Sequence, residues 1–298
     1  MRERMIIDGV IGIPMDSSGR FAGCELMPAA LREAGMAGWP VRDRGNVQAV
    51  LADPRRDPDT GIIGFADLVN ASVVVRDALE PVLRTGERPL VTGGCCSILL
   101  GTFAAVRRIR PDAGLVFIDG HFDMHEPHRS ETGEAADMEV GILLGAGPAE
   151  LSGLSGAERS VEDERLVVIG PRDHDEMRDS GSPLPAEAHP VVLVIDEPEL
   201  RGGGVDEAAS RTLARLGASE SDGFWVHIDF DVLSTAAFPA IDYPLAGGLD
   251  WEQLTKIVRP LALDPGFLGI SVSILNPRLD PDGATAARTE RWLRAVLD

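Results

Sequence analysis

Two polar clusters in this sequence combine aspartate and histidine at alternate positions, each directly after an apolar run. In "GLVFIDGHFD" the alternating residues are Asp119, His121 and Asp123. In "FWVHIDFD", farther along the chain, they are Asp229 and Asp231. Side chains at positions i and i+2 point to the same side of an extended segment, so each cluster presents its polar groups together. Carboxylates and an imidazole grouped in this way are typical ligands of divalent metal ions.

The position of both clusters after apolar runs favours a bound cation over a solvated loop. A carboxylate at the end of a buried strand loses hydration worth several kcal/mol unless a cation or strong hydrogen-bond donors compensate. Acidic runs are common in a protein whose pI is about 4.6, so a solvated loop is the alternative interpretation of either cluster alone. The mixture of carboxylates with one imidazole suits Mn²⁺, Fe²⁺ or Zn²⁺ better than Ca²⁺.

Short apolar runs alternate with helix-like stretches along the chain, which predicts an α/β fold. Runs that are apolar on both faces are typical of parallel strands covered by helices. Parallel strands end at one edge of the sheet, where their loops leave a crevice for ligands. No change of composition marks a linker, so we predict one domain over residues 1–298. The predicted strands lie within "MIIDGVIGI", "RPLVTGG", "GLVFIDG", "RLVVIG", "PVVLVI", "FWVHIDFD" and "FLGISVSIL".

Composition and charge argue against several classes of partner. A formal net charge of −20 repels nucleic acid and anionic membrane surfaces and favours a small-molecule or cationic partner. No window approaches the roughly 20 apolar residues of a membrane span, and the N-terminal "MRERMIIDGVIGIP" is predicted to be a strand rather than a signal peptide. Of the three cysteines, Cys95 and Cys96 are adjacent, which is unlike a disulfide framework and predicts a reducing cytoplasm.

In order and spacing, the polar segments resemble the motifs of the ureohydrolase superfamily, which includes arginase, agmatinase and formiminoglutamase. The family's "GGDHS", "DAHxD" and "SxDxDxxDP" correspond here to "GGCCS" (93–97), "DGHFD" (119–123) and "HIDFDVLST" (227–235). The likeness covers nearly the whole chain. It extends to "PAALREAGM", "IGPRDHD", "PAIDYPLAGGL" and the pair formed by Asn276 and Pro277.

The resemblance implies a fold, a metal centre and a reaction. The implied fold is a three-layer α/β/α domain with a central, mostly parallel eight-stranded sheet. The implied centre holds two metal ions, usually manganese, which activate water for attack on an amidine or guanidine carbon. Family members are commonly homo-oligomers, so a trimer or hexamer is expected. Carried over by position, the residues near both ions are Asp119, Asp123 and Asp229, and the ligands of the second ion alone are His121 and Asp231.

One departure from the family concerns the metal centre. The histidine that binds the first metal in the family falls at Cys96, and the aspartate before it falls at Cys95. A thiolate at Cys96 remains a ligand but shifts the preference from Mn²⁺ toward Zn²⁺ or Fe²⁺. A neutral thiol leaves the first site weak or empty, and Cys96 is then a small buried packing residue. The sequence is therefore compatible with one ion or two, and the resemblance makes Mn²⁺ the expected metal.

Two further departures concern the substrate. Ala136 stands where arginases have a histidine that handles protons, and Ile274 stands where the usual enzymes hold the guanidinium with a glutamate. Losing that carboxylate removes a charge-assisted hydrogen bond worth about 1.5 to 3 kcal/mol. Plain arginine and agmatine are therefore not the expected substrates.

The remaining site residues follow from the same correspondence. His125 and Glu134 stand where arginase has asparagines that contact the amino-acid carboxylate, and Thr132 and Asp175 complete the predicted substrate-binding set. A glutamate repels a carboxylate, so a free α-amino acid is not expected to bind. The predicted catalytic residues are Asp123, His125 and Asp229.

The predicted function is metal-dependent hydrolysis of a linear C–N bond in an amidine, a guanidine or a modified guanidine such as N-hydroxyguanidine. One alternative is a protein of the same fold that has lost turnover and serves as a binding or assembly subunit, as Cys96, Ala136 and Ile274 would favour. The retained carboxylates oppose it, since unused buried charges are costly. Another alternative is a one-metal amide hydrolase, because the deacetylases share this fold and use an Asp, His, Asp set on one zinc.

Overall fold

The computed structural model describes residues 5–17, 22–217 and 222–298. The strands are β1 (Gly9–Ile13), β2 (Arg42–Asn46), β3 (Pro89–Gly93), β4 (Gly114–Ile118), β5 (Leu166–Ile169), β6 (Leu193–Ile195), β7 (Phe224–Asp229) and β8 (Phe267–Ser273). They form one eight-stranded sheet in the order β2-β1-β3-β8-β7-β4-β5-β6, and every neighbouring pair is parallel. The predicted α/β fold with a central eight-stranded sheet is confirmed.

The strand β2 is the one that no apolar run predicts. Its sequence "RDRGN" is polar and largely exposed. It lies at one edge of the sheet and pairs only with β1. Charged residues are common on edge strands because they discourage pairing with a strand of another molecule. The apolar pattern that identifies the other seven strands is therefore absent here.

Helices cover both faces of the sheet and give the domain three layers. They are α1 (Met27–Glu33), α2 (Phe65–Arg84), α3 (Ile98–Ile109), α4 (Glu139–Leu143), α5 (Ala149–Ser152), α6 (His174–Ser180), α7 (Pro185–Ala188), α8 (Glu197–Glu199), α9 (Val205–Leu216), α10 (Trp251–Ala262) and α11 (Ala284–Leu297). Along β4, Leu115 and Phe117 enter one apolar core, and Val116 and Ile118 enter the other. Among these helices, none combines the length and the apolar character that crossing a lipid bilayer requires.

Four adjacent strands in the middle of the sheet position the polar segments. They are β3, β8, β7 and β4, and because they are parallel their carboxyl ends lie at the same edge. The register of β4 and β7 pairs Ile118 with Ile228, so Asp119 and Asp229 follow at the same level. The segment 93–97 follows β3, and Ile274 follows β8. The sheet therefore brings the distant motifs to one edge.

Candidate active site

One group of three potential metal ligands lies at the ends of β4 and β7. The ligand atoms of Asp119, His121 and Asp231 lie within 4.8 Å of one another. His121 Nδ1 is 2.9 Å from Asp231 Oδ2 and 3.4 Å from Asp119 Oδ1. Both carboxylates are buried, and Asp119 Oδ2 has no hydrogen-bond partner among the described residues. A buried carboxylate oxygen without a donor fits a metal ligand, because burial without a partner is costly.

A second group of potential ligands consists of Cys96, Asp123 and Glu139, whose ligand atoms also lie within 4.8 Å of one another. All three side chains are buried. Cys96 is reached from β3 through Gly94, where a Cβ atom would lie 1.8 Å from the carbonyl oxygen of Met15, so only glycine permits this path. Glu139 is the ligand candidate that the sequence motifs missed. Its one signal in the sequence is a single charge in the apolar stretch "MEVGILL".

Asp229 is held in place at the end of β7 by a buried chain of hydrogen bonds. Its Oδ1 accepts from the backbone N–H of Asp231 at 3.0 Å, and its Oδ2 lies 3.5 Å from Ser273 Oγ. Ser273 Oγ lies 3.2 Å from His227 Nε2, and His227 Nδ1 lies 2.7 Å from Ser271 Oγ. Burial lowers the pKa of His227 to about 3, so the imidazole is neutral near pH 7. His227 therefore orients neighbouring groups and does not carry a positive charge.

The raised pKa values of three buried carboxyls at the site indicate that they have too little positive charge beside them. Burial, together with the nearby Asp231 carboxylate, raises the pKa of Asp119 to about 8. Burial and neighbouring carboxylates also raise the pKa values of Asp123 and Asp229 well above their usual range. Although burial favours the neutral imidazole, Asp231 and Asp119 raise the pKa of His121 well above its usual value. A divalent cation supplies the charge that protons otherwise provide, so these donors fit a metal centre.

Members of both groups, His121 and Asp231 of one and Cys96 and Asp123 of the other, line one acidic cavity of about 370 Å³. Its described lining contains no lysine or arginine. Such a surface attracts a cation and repels an anion. The lining carboxylates are Asp123, Glu131, Glu134, Asp137, Asp173, Glu176, Asp179, Asp229, Asp231 and Asp242.

Three of the four predicted substrate-binding residues line this cavity, namely His125, Thr132 and Glu134. His125 Nδ1 lies 3.1 Å from Ser180 Oγ, which fixes one edge of the ring. The Thr132 hydroxyl donates a hydrogen bond to Asp137 Oδ2 at 2.6 Å. The Tyr243 hydroxyl lies 3.1 Å from each carboxylate oxygen of Glu134. All three are therefore oriented by neighbours within the site.

The structure does not bring the fourth residue, Asp175, to the cavity. Its side chain is 96% exposed, and it pairs with Arg178 Nη1 at 3.0 Å on the outer face of α6. Glu176 and Asp179 of the same helix line the cavity instead. Successive residues of a helix point about 100° apart, so a correspondence in sequence position does not fix the direction of a side chain. The predicted contact of Asp175 with substrate has no support from this geometry.

The two substitutions expected to change the substrate both lie in the cavity wall. Ala136 and Ile274 line the cavity directly. Ile274 has φ of 62°, and Asp123 has φ of 49°; they are the two described non-glycine residues with positive φ. This conformation is unusual for a β-branched residue, and strain of this kind costs of the order of 1–3 kcal/mol and concentrates at functional sites. The backbone therefore holds the aliphatic side chain of Ile274 in the cavity wall, where the resemblance to the family predicts a glutamate.

Two cavity residues from the segment "PAIDYPLAGGL" were not singled out by the sequence motifs. They are Asp242 and Tyr243. Asp242 Oδ1 accepts a hydrogen bond from Asn276 Nδ2 at 2.7 Å, and its Oδ2 accepts from the Cys24 thiol at 3.1 Å. The segment resembles a family motif, but the family pattern has other residues at these two positions and gives no role for them.

Comparisons with known proteins agree with this geometry. The profile of the arginase family matches residues 8–297. An arginase from Brevibacillus brevis is 27% identical over 286 residues, which cover 93% of this chain and 93% of the relative. The native arginase structure from Bacillus caldovelox has a TM-score of 0.84 at 24% identity and covers 98% of both chains. Formimidoylglutamase from Bacillus subtilis has a TM-score of 0.71 at 19% identity and covers 98% of this chain and 86% of its own.

At these identities the structural likenesses show a shared fold, and the profile match over nearly the whole chain shows the family. The ureohydrolase resemblance inferred from the motifs is thereby confirmed. The protein is a hydrolase that acts on C–N bonds other than peptide bonds. This chain belongs to the arginase family.

Proposed function

We propose that the protein uses divalent metal ions to hydrolyse a C–N bond in a small cationic molecule with an amidine, guanidine or modified guanidine group. An N-hydroxyguanidine is the modified group that fits best, and plain arginine and agmatine are not the proposed substrates. The observation that carries the proposal is the acidic cavity, which combines a metal-ligand set with the aliphatic Ile274.

The charge of the cavity supports a substrate with a cationic end and no carboxylate. A carboxylate bound beside Glu131 and Glu134 meets like charges, and the described lining offers it no lysine or arginine. Juxtaposed like charges cost several kcal/mol in an interface. An ammonium group placed near Glu131, Glu134 or Glu176 gains the opposite interaction. The cavity therefore selects against a free α-amino acid through its carboxylate.

The wall at Ile274 supports a reactive group that is less basic than guanidine. A guanidinium beside this side chain loses hydration without gaining a countercharge, which weakens its binding. The oxygen of an N-hydroxyguanidine withdraws electron density and lowers the basicity of the group. Its neutral form can lie against an aliphatic wall at lower cost. The favoured substrate therefore combines a neutral reactive end with the cationic tail that the carboxylates favour.

The ligand residues divide between two metal positions. Asp119, His121 and Asp231 would hold one ion, Cys96 and Asp123 would contribute to the other, and Asp119, Asp123 and Asp229 would lie near both. We infer Mn²⁺ from the family, with Zn²⁺ or Fe²⁺ favoured where the Cys96 sulfur is a ligand. When bound, such ions lower the pKa of water and polarise the carbon that is attacked.

His125 is the residue that we assign to protonate the leaving amine, since Ala136 has no proton to donate. His125 Nδ1 contacts Ser180 Oγ at 3.1 Å and Ser182 Oγ at 3.4 Å. No described residue forms a hydrogen bond with its Nε2, so that nitrogen remains for the substrate. Proton transfer by a positioned side chain contributes about 10²- to 10⁴-fold to a rate. Asp123 and Asp229, the other two proposed catalytic residues, border the same cavity.

We also infer a cytoplasmic homo-oligomer, a trimer or a hexamer. The reducing compartment is supported by three buried free cysteines, and the oligomer by the resemblance to the family. Neither nucleic acid nor an anionic membrane surface suits a chain with a net charge of −20. Light scattering coupled to size exclusion measures the assembly directly.

A second candidate function is one-metal amide hydrolysis. The observation that favours it is the compact group of Asp119, His121 and Asp231, which forms without any contribution from Cys96. Loss of turnover, with retention of a binding role, is favoured only by the substitutions at Cys96, Ala136 and Ile274. These candidates differ in the number of bound ions: two for the proposed function, one for the amide hydrolase and none for the binding subunit.

A substrate panel tests the proposed function. Protein loaded with Mn²⁺ is incubated with arginine, agmatine, N-hydroxyarginine and an N-hydroxyguanidine with a terminal amine, and released urea, hydroxyurea and ammonia are measured. We expect turnover of the amine-terminated N-hydroxyguanidine and none of arginine or agmatine. A His125→Asn control should lose most of that turnover. Arginine hydrolysis at ordinary enzyme rates, roughly 1 to 10³ per second, would overturn the proposal.

A further inference from the structure

Glu139 occupies a position that no role described so far explains. Its side chain is completely buried at the first residue of α4, and α4 has no side-chain capping hydrogen bond. Neither carboxylate oxygen has a hydrogen-bond partner of normal geometry among the described residues. No described lysine, arginine or histidine forms an ion pair with it. A carboxylate in this state is costly, by several kcal/mol, unless another group compensates.

Two potential metal ligands, Cys96 and Asp123, lie beside the carboxylate of Glu139. Its carboxylate oxygen, Cys96 Sγ and an Asp123 oxygen lie within 4.8 Å of one another. An ion bonded to sulfur at about 2.3 Å and to oxygen at about 2.0–2.2 Å can have these ligand atoms up to about 4.5 Å apart, so the three atoms are close to the spacing that one ion requires. Three different parts of the chain supply these atoms: the turn after β3, the turn after β4 and the start of α4.

We propose that Glu139 is a direct ligand of the first metal position, together with Cys96 and Asp123. The family motif places an imidazole at Cys96, and here a thiol stands in its place with a second carboxylate beside it. Glu139 thus supplies a charged oxygen ligand at a position where the imidazole is lost. The resulting set of one sulfur and two carboxylates suits Zn²⁺ or Fe²⁺ better than Mn²⁺.

Binding of a divalent ion at this position requires no reactant other than the ion itself. The buried Cys96 thiol is protonated in the metal-free protein and donates to the Ala136 carbonyl oxygen, with 3.3 Å between sulfur and oxygen. Binding of a divalent ion forms one metal–sulfur and two metal–oxygen bonds, and it releases to solvent the thiol proton together with any proton that the Asp123 and Glu139 carboxyls hold. The inference rests on the metal dependence proposed above, but not on the identity of the substrate.

Cobalt titration of the chelator-treated full-length protein tests this assignment. A thiolate bound to Co²⁺ gives a charge-transfer absorption in the near ultraviolet, which a Cys96→Ser variant must lack. We expect the wild type to bind two Co²⁺ ions and to show this band. In Glu139→Gln, a substitution of equal size, we expect the dissociation constant of the band-forming ion to rise at least about tenfold. The ion at Asp119, His121 and Asp231 should bind as in the wild type.

Glu290→Gln is a matched control, because Glu290 is also a buried glutamate but accepts a hydrogen bond from Trp39 Nε1 outside the site. It should leave both ions and the band unchanged. An unchanged band and affinity in Glu139→Gln would overturn the proposal. A wild type that binds one ion without the band would overturn it as well, yet would leave metal dependence intact at the other position. A wild type that binds no ion would overturn both.

A crystal structure of the wild type loaded with Zn²⁺ provides a measurement that does not depend on whether Glu139→Gln folds. Anomalous scattering locates the ion. An ion bonded to both Glu139 and Cys96 supports the assignment. An ion at this end of the cavity that is more than about 3.5 Å from every Glu139 oxygen would overturn it, since metal–oxygen bonds are about 2.0–2.2 Å long.

Discussion

The two candidate metal positions lie at one edge of the same sheet but differ in how their ligands are held. At the first position, Cys96 and Glu139 come from turns and a short helix, and Glu139 accepts no hydrogen bond of normal geometry. At the second, Asp231 Oδ1 accepts a hydrogen bond from the Gly120 backbone N–H at 2.9 Å, and its Oδ2 contacts His121 Nδ1. The second position is therefore preformed by protein contacts, whereas the first depends more on a bound ion.

The two positions also differ in how closely their residues match the family motifs. The second position retains residues of two family motifs, Asp119 and His121 from one and Asp231 from the other. The first position has exchanged an imidazole for a thiol, and the cavity wall nearby contains Ala136 and Ile274. The changes are thus concentrated at the first metal and the substrate.

The largest expected effect comes from breaking the second position. Asp231→Asn removes the charge that contacts His121. It leaves a side-chain oxygen that can still accept the hydrogen bond from the Gly120 backbone N–H. We expect the metal affinity of this position to fall at least about 100-fold, and turnover to fall about 10³-fold, which corresponds to about 4 kcal/mol of lost transition-state stabilisation. Isothermal titration and steady-state kinetics measure the two effects. Turnover within about tenfold of the wild type would remove this position from catalysis.

A second change should restore the family's substrate. The double variant Ala136→His and Ile274→Glu returns the proton-handling imidazole and the guanidinium-binding carboxylate to the cavity wall. We expect agmatine hydrolysis to appear at a rate at least about 100-fold above that of the wild type, since acid catalysis alone contributes 10²-fold or more. Urea release provides the measurement. The single variants serve as controls, and each should recover less than the pair.

A smaller effect is expected from making the first position resemble the family. Cys96→His should raise its affinity for Mn²⁺ about tenfold, because an imidazole suits this ion better than a thiol does. Cys95→Ser is the control: Cys95 contacts Ser17 and Ser97 rather than the ligand group, and its replacement should not alter Mn²⁺ binding. Equal Mn²⁺ affinity in the wild type and Cys96→His would place Cys96 among the packing residues.

The smallest effect concerns the pH dependence of stability in the metal-free protein. The pKa of Asp119 is about 8 in the folded chain and 3.8 ordinarily, so the folded state holds a proton that the unfolded state lacks. Stability must then fall as the pH rises toward 8. His227 has the opposite effect, because its imidazole is neutral in the folded state and half protonated in the unfolded state at pH 6.5, but it offsets only about 0.4 kcal/mol of this fall. Thermal unfolding with a chelator should show a lower Tm at about pH 8.5 than at pH 6.5, and bound metal should diminish the difference. A higher Tm at pH 8.5 with the chelator would contradict this.

Seven of the eight strands, including the partly buried edge strand β6, could be predicted from their apolar runs, but β2 could not, because its side chains are polar and largely exposed. The alternating clusters likewise predicted a metal site, since alternation in an extended segment fixes side-chain direction. Asp175 shows the opposite case, because a motif position on a helix says little about the direction of its side chain. Glu139 was missed because a single charge in an apolar stretch has no pattern, and only the fold brings it to Cys96.

Elemental analysis of protein purified without chelator tests the central claim most directly. The claim is that this arginase-family chain contains two unlike metal positions, one retained and one rebuilt around Cys96 and Glu139. It predicts two divalent ions per wild-type chain, and one ion per chain in both Asp231→Asn and Glu139→Gln. A wild type without metal would contradict the claim, and so would a single wild-type ion that Asp231→Asn removes and Glu139→Gln retains.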